Sequence, residues 1–123
     1  MRNQYFLKDK KAMIYHKQPE SQDEEGYPIP GGWKPTSSSA LWCYSRQLSQ
    51  DTIVEAAKYG ASETRMFVFN PTTVELYDLI LYRGAWYQVI RTDTTDDYNT
   101  DVFVYVKDCP ASDIPKDGQL LPY

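Results

Sequence analysis

The stretch LILYRGAWYQVI, residues 79 to 90, is apolar at nearly every position on both sides of Arg83-Gly84. Successive residues of a β-strand point to opposite faces, so a half-buried strand alternates apolar with polar side chains. This stretch does not alternate, and a chain that adopts it must cover two faces of one hairpin. Gly84 supplies the positive φ that a tight turn or G1 bulge requires without a Cβ clash, so the stretch predicts two strands joined at Arg83-Gly84. One face is expected to close the interior of a barrel. Part of the other, with Tyr82 and Trp86 or Leu81 and Tyr87 depending on register, is expected to meet an adjoining element or a neighbouring subunit. Tyr82, Gly84, Trp86 and Tyr87 are therefore the candidate hairpin interface.

Other strands are shorter. KAMIYHK (11–17) places Ala12, Ile14 and His16 on one parity and Met13 and Tyr15 on the other. LWCYSRQL (41–48), RMFVFN (65–70, closed by Asn70-Pro71) and DVFVYVK (101–107) follow, with a brief extended or turn segment at Val74 to Tyr77. Between 48 and 61 the period changes: Thr52 with Glu55 three residues later is a capping-box pattern. Ile53, Ala56 and Ala57 keep helical spacing and Gly60 suits a stop, which predicts a short helix over about 52–59. Residues 18–40 hold four prolines, three glycines and the acidic run Asp23-Glu24-Glu25, and read as one long Pro/Gly-rich loop. PASDIPKDGQLLPY (110–123) reads as an extended arm. Together these predict a mainly β fold: a small antiparallel β-barrel or rolled sheet of five to six strands with one short α-helix. A chain of 123 residues is expected to form a single domain, 1–123, with its core at about 11–109.

The formal net charge of −4 and a pI of about 4.9 argue against a protein whose main task is gripping a phosphate backbone. Lys8, Lys10 and Lys11 with Tyr5, Phe6 and Tyr15 are the nearest approach to a basic-aromatic nucleic-acid patch, and one such cluster is weak. No stretch approaches the ~20 apolar residues of a membrane span, and no apolar signal segment follows the N-terminus, so a cytosolic chain is expected. Cys43 and Cys109 sit on separate strand-like stretches outside any Cys-x-x-Cys pattern, and are expected as two buried free thiols.

The sequence offers no reaction centre. His16 is the single histidine, so any nucleophilic triad would have to be built around it, and a rim histidine is the simpler reading. Asp93, Asp96, Asp97 and Asp101 suggest hard-cation ligands, but counting from Asp93 there is no glycine at the sixth position and no glutamate at the twelfth. A solvated hairpin loop accounts for them. No phosphate cradle or dinucleotide fingerprint is present. No catalytic residues, metal ligands or cofactors are expected.

The order of elements carries a resemblance. A strand near Ile14, the loop DEEGY, the strand LWCYSRQLSQ with the polar segment EAAKYG, then TRMFVF, DLILYRGAWYQVI and DVFVYVKDC follow one another. This order resembles the head-closure proteins of tailed bacteriophages, also called head-tail joining or stopper proteins. The strongest piece is Asp78-x-Ile80-x-Tyr82-x-Gly84-x-x-Tyr87-x-Val89/Ile90, similar to that family's Asp, apolar, Tyr, Gly, Tyr and Ile at those spacings. The resemblance covers about residues 12 to 109.

The resemblance implies a small β-barrel that assembles with itself in a ring, typically twelve-fold, docked beneath the portal and adaptor. It closes the DNA channel after packaging and offers the tail a platform. The implied location is the virion, after assembly in the bacterial cytoplasm. DNA would be channel cargo only, with no membrane partner, and twelve chains at −4 would carry −48 (12 × −4). By position, Ser49, Gln50, Asp51, Glu55, Lys58, Tyr59 and Gly60 fall where some members place a channel-facing or gating loop. The alternative is that Ile53, Ala56 and Ala57 simply pack a capped helix on the barrel. Tyr27, Ile29 and Trp33 in the long loop are the candidate contacts with the adaptor or tail. A tail-completion or terminator protein and a cytosolic oligonucleotide-binding barrel are the alternative functions.

Overall fold

The computed structural model describes residues 7–29, 31–48, 63–94, 101–116 and 118–123. Among them the strands are β1 (Lys10–Gln18), β2 (Ser21–Gln22), β3 (Pro28–Ile29), β4 (Gly32–Pro35), β5 (Leu41–Gln47), β6 (Arg65–Phe69), β7 (Leu79–Tyr82), β8 (Ala85–Thr94) and β9 (Val102–Asp108). A 3-10 turn follows at Ala111–Asp113. The expected helix at 52–59 lies outside the described residues.

The β7-β8 hairpin turns over two residues, since Tyr82 pairs with Ala85. Arg83 at φ 51° and Gly84 at φ 79° are both left-handed, the pattern of a type I′ turn, whose twist matches that of the flanking strands. The tight-turn alternative holds and the bulged one does not. A bulge occurs instead farther along β8, where the pairing with β9 shifts between Val89 and Arg91.

Pairing runs β1-β5-β6-β9-β8-β7 and returns to β1, every neighbour antiparallel, which closes a six-stranded barrel. The mainly β expectation is met. β1 closes the ring because it changes partner along its length: Lys10 to Ala12 pair with β5, Met13 to Tyr15 with β7, and Tyr15 to Gln18 with β4. β4 and β5 lie along one edge of β1. Three steps on β1, from Ala12 to Tyr15, match six on the partner, from Leu41 back to Pro35, so the SSSA stretch is surplus to the pairing.

Residues 18–40 are more ordered than one long loop. Asp23 accepts from the Glu25 and Tyr27 amides at 3.0 and 2.8 Å, and Gly26 takes φ 86°, which folds β2 onto β3. β4 then pairs with β1 despite its proline, because Pro35 ends the strand where its missing N–H is not called on. The C-terminal arm adds to the other edge of β4. Trp33 donates to the Gln119 carbonyl at 2.7 Å and Leu121 donates to the Trp33 carbonyl at 2.8 Å, a one-residue parallel bridge. A Cβ at Gly32 would lie 2.4 Å from the Gln119 oxygen, so only glycine allows the arm this close.

Inward-facing parity fills the barrel with Ala12, Ile14, Cys43, Phe67, Phe69, Ile80, Tyr82, Val89, Val102, Val104 and Val106. Phe67 sits at the centre, with Phe69, Tyr82 and Tyr87 ring centroids 6.0, 5.3 and 5.9 Å away. Each Val, Ile or Phe side chain among them removed from water contributes roughly 1.5–3 kcal/mol.

The second face of the hairpin is covered from within the chain. Leu79, Leu81 and Trp86 pack with Met13, Tyr15, Trp33, Cys109 and Ile114 in a separate outer cluster, with Tyr15 and Trp86 5.3 Å apart. The register differs from both sequence alternatives: Leu81 opposes Trp86 on the outer face, while Ile80, Tyr82 and Tyr87 face inward. A third cluster joins Leu48, Met66 and Val68 to Tyr44, Phe103 and Tyr105. Both thiols are free and buried, Cys43 in the barrel and Cys109 in the outer cluster. No described helix is long and apolar enough to cross a membrane.

Candidate functional site

The inward parity of β1 continues from Ala12 and Ile14 to His16, and that of β7 leads back from Ile80 to Asp78. Tyr15 pairs with Leu79, so one further step of the same ladder sets His16 opposite Asp78. The barrel interior therefore ends, at this mouth, in a polar cross-strand pair. His16 Nδ1 lies 2.6 Å from Asp78 Oδ2 and 3.8 Å from Glu75 Oε1. Nδ1 is shielded from solvent, and Asp78 Oδ2 is the nearer of the two carboxylate oxygens that face it.

The approach to β7 holds these carboxylates in place. Asp78 Oδ2 accepts from the Glu75 amide at 2.8 Å. The Tyr77 amide donates to the Val89 carbonyl and the Val89 amide to the Asp78 carbonyl, at 2.8 and 2.9 Å. Tyr77 takes φ 69°, a left-handed conformation costly for a non-glycine residue. Asp78 is only 4% exposed. Burial pushes its carboxyl above the ordinary value, against the Glu75 amide and His16, which pull it down.

Beside this trio an open cleft of about 350 Å³ is lined by His16, Gln18, Lys34, Thr36, Thr72 and Tyr123, among others. Thr36 Oγ1 is buried without a hydrogen-bond partner. A second polar focus lies around Leu48, Glu63 and Thr64. The Leu48 amide donates to the Thr64 carbonyl at 3.0 Å, and buried Glu63 accepts both Nε and Nη2 of Arg91, at 2.7 and 3.0 Å. The Arg91 guanidinium also stacks 3.8 Å above the Tyr105 ring.

Sequence candidates fall in three groups. Ser49, Gln50, Asp51, Glu55, Lys58, Tyr59 and Gly60 lie outside the described residues. Tyr27 and Ile29 are exposed on and beside β3, whereas Trp33 is 9% exposed beneath the C-terminal arm and does not belong with them. Its burial follows from β4 pairing on one side and the arm on the other. Of the hairpin set, Tyr82 is core, Tyr87 packs against it, Trp86 is outer and Gly84 serves the turn. The His16, Glu75 and Asp78 trio was not read from sequence. Its signal was present in Asp78 of the hairpin motif, but its partner is identified only by the β1-β7 register. Trp42, exposed with Lys11 Nζ 4.5 Å from its ring centroid, was likewise missed.

No protein-family model matches the sequence, and no curated protein matches it significantly. Among solved structures, the fold is similar to the solution structure of protein SF1141 from Shigella flexneri 2a. The TM-score is 0.64 at 13% identity, covering 84% of this chain and 94% of that one. The phage-like element PBSX protein xkdH of Bacillus subtilis gives a TM-score of 0.45 at 14% identity, covering 80% and 93%. At these identities the likeness to SF1141 concerns the fold.

Proposed function

We propose that this chain is a structural, non-catalytic component of the head-tail interface of a tailed bacteriophage or prophage. In this reading it forms a ring with copies of itself below the portal and adaptor, closes the DNA channel after packaging and carries the tail platform. The observation that supports it is the fit between the Asp78 to Ile90 pattern and the places its residues occupy. Asp78 anchors the approach to β7, Tyr82 and Tyr87 pack on Phe67, Gly84 makes the type I′ turn, and Val89 is buried. A pattern that resembles the head-closure family thus coincides with the hairpin beside the barrel's closing seam.

A ring component works through outward surfaces. Trp42, Tyr27, Ile29, Leu76 and Tyr77 are exposed large apolar residues outside the three clusters, and they are the contacts this reading assigns to neighbours. An acidic chain of −4 suits a channel through which DNA slides without adhering.

The test adds purified protein to DNA-filled heads that lack it. Retention at the portal vertex as a ring, with reduced DNA loss, is the expected result; heads that neither bind it nor keep their DNA overturn the proposal. Attachment to tails alone would favour the tail-completion role, and salt-sensitive oligonucleotide binding a nucleic-acid barrel.

A further inference from the structure

The His16, Glu75 and Asp78 cluster has a chemistry that the ring reading does not use. Three groups able to donate lone pairs, one imidazole nitrogen and two carboxylates, bring ligand atoms within 4.8 Å of one another. Nδ1 and Oδ2 are 2.6 Å apart, with Nδ1 itself shielded from solvent. Two lone pairs at that distance repel unless a positive charge lies between them. Glu75 brings a second carboxylate toward the same nitrogen at 3.8 Å. A divalent cation serves the three groups together.

The donor set narrows the cation. Imidazole selects the borderline transition ions, while carboxylates accept them as well as harder ones. Tetrahedral zinc with ligands at 2.0–2.2 Å places its donor atoms about 3.3–3.6 Å apart. The two recorded separations, 2.6 and 3.8 Å, bracket that range, and Glu75, on the exposed side, can swing to meet it. The cleft beside His16 leaves room for water as a fourth ligand. Lys34 lines that cleft but is exposed, so its ammonium can turn to solvent. The backbone is set by the β1-β7 ladder at His16 and by the Glu75 amide at Asp78, so binding asks only for a side-chain movement that widens the 2.6 Å contact toward the donor separation of zinc.

We propose that His16 Nδ1, the Asp78 carboxylate and the Glu75 carboxylate form a binding site for a zinc-class divalent ion at one mouth of the barrel. Bound there, the ion cross-links β1 to the segment that leads into β7. It thereby braces the closing seam of the barrel. The inference is independent of the proposed role in a phage particle.

His16 is the single histidine of the chain, so its imidazole gives one identifiable set of nitrogen-coupled NMR signals. The full chain is freed of metal with a chelator and titrated with zinc chloride, with magnesium and calcium chloride in parallel. The expected result is a saturable shift of the His16 signals and a rise in Tm of about 5–10 °C at zinc a hundredfold above Kd. Glu75→Gln, a change at an exposed side chain that keeps the fold, is expected to weaken zinc binding at least tenfold. His16→Ala is expected to abolish the Tm rise. Unmoved His16 signals, an equal Tm rise in His16→Ala, unchanged affinity in Glu75→Gln, or equal shifts with magnesium or calcium each overturn the proposal.

Discussion

Arg91 grips Glu63 with two hydrogen bonds, Nε to Oε2 at 2.7 Å and Nη2 to Oε1 at 3.0 Å, while its guanidinium lies over the Tyr105 ring, 3.8 Å from the centroid. Glu63 is 5% exposed, and among the described residues Arg91 is the partner of its charge. Arg91→Ala leaves a buried carboxylate unpaired and is expected to cost about 1–3 kcal/mol, the arginine being itself half exposed. Adding Glu63→Gln to Arg91→Ala should recover part of that loss. Urea unfolding of the two single variants and the double variant measures the coupling; strictly additive losses would show the pair to be independent.

Phe67 is fully buried among three aromatic rings. Phe67→Ala is expected to destabilise the fold by about 3–5 kcal/mol and Phe67→Leu by much less, because leucine leaves a smaller void. The checking measurement is again the denaturant midpoint, with unchanged m-values showing that the unfolding reaction is the same.

Two glycines separate crowding from strain. Gly32→Ala drives a methyl into the Gln119 carbonyl and is expected to release the C-terminal arm. The Trp33 and Leu121 amides should then exchange with solvent faster, along with little else. Gly84→Ala meets open space and pays only for its φ of 79°, about 1–2 kcal/mol. Hydrogen exchange resolved by residue distinguishes the local effect from the global one.

Burial raises the Cys43 thiol from 9.0 to about 11. The folded value exceeds the unfolded one, so the stabilisation is complete below pH 9 and is lost as pH climbs through 11. The stability difference between the wild type and Cys43→Ala should therefore shrink across that interval, by about 2 kcal/mol. Urea midpoints at pH 8 and pH 10.5 test this, and a constant difference would contradict it.

Trp33 and Trp42 are expected to behave oppositely. Trp33→Ala opens the outer cluster and should cost about 3–5 kcal/mol. Trp42→Ala, at an exposed site, should change stability by no more than ~0.5 kcal/mol. If Trp42 faces a neighbouring copy, its loss lowers retention on filled heads while Tm stays constant; unchanged retention would remove it from the interface.

Much of the barrel was legible from side-chain alternation and turn chemistry. Ala12 and Ile14, the alternating valines of β9 and the Arg83-Gly84 turn all declare themselves locally. What covers the second face of the hairpin was not legible, because Trp33 and Ile114 come from segments rich in proline and glycine that carry no period. β4 owes its order to the edge of β1 rather than to its own composition. The His16-Asp78 pair was hidden for a related reason: each residue looks like the polar end of a strand until register sets one opposite the other. The gating residues proposed from the family resemblance fall in the segment 49–62, beyond the described residues.

Ile14 and Ile80 face each other across the pairing that closes the barrel, 66 residues apart (80 − 14). At a translation speed of ~5–20 residues per second, the first strand leaves the ribosome roughly 3–13 s before its final partner exists. It can pair with β5 meanwhile, but the edge reserved for β7 stays open, with unsatisfied amides available to any other extended chain. The earliest made of the described strands is thus among the last to be enclosed. In a crowded cell producing many copies at once, that interval is when this chain is most exposed to pairing with the wrong neighbour.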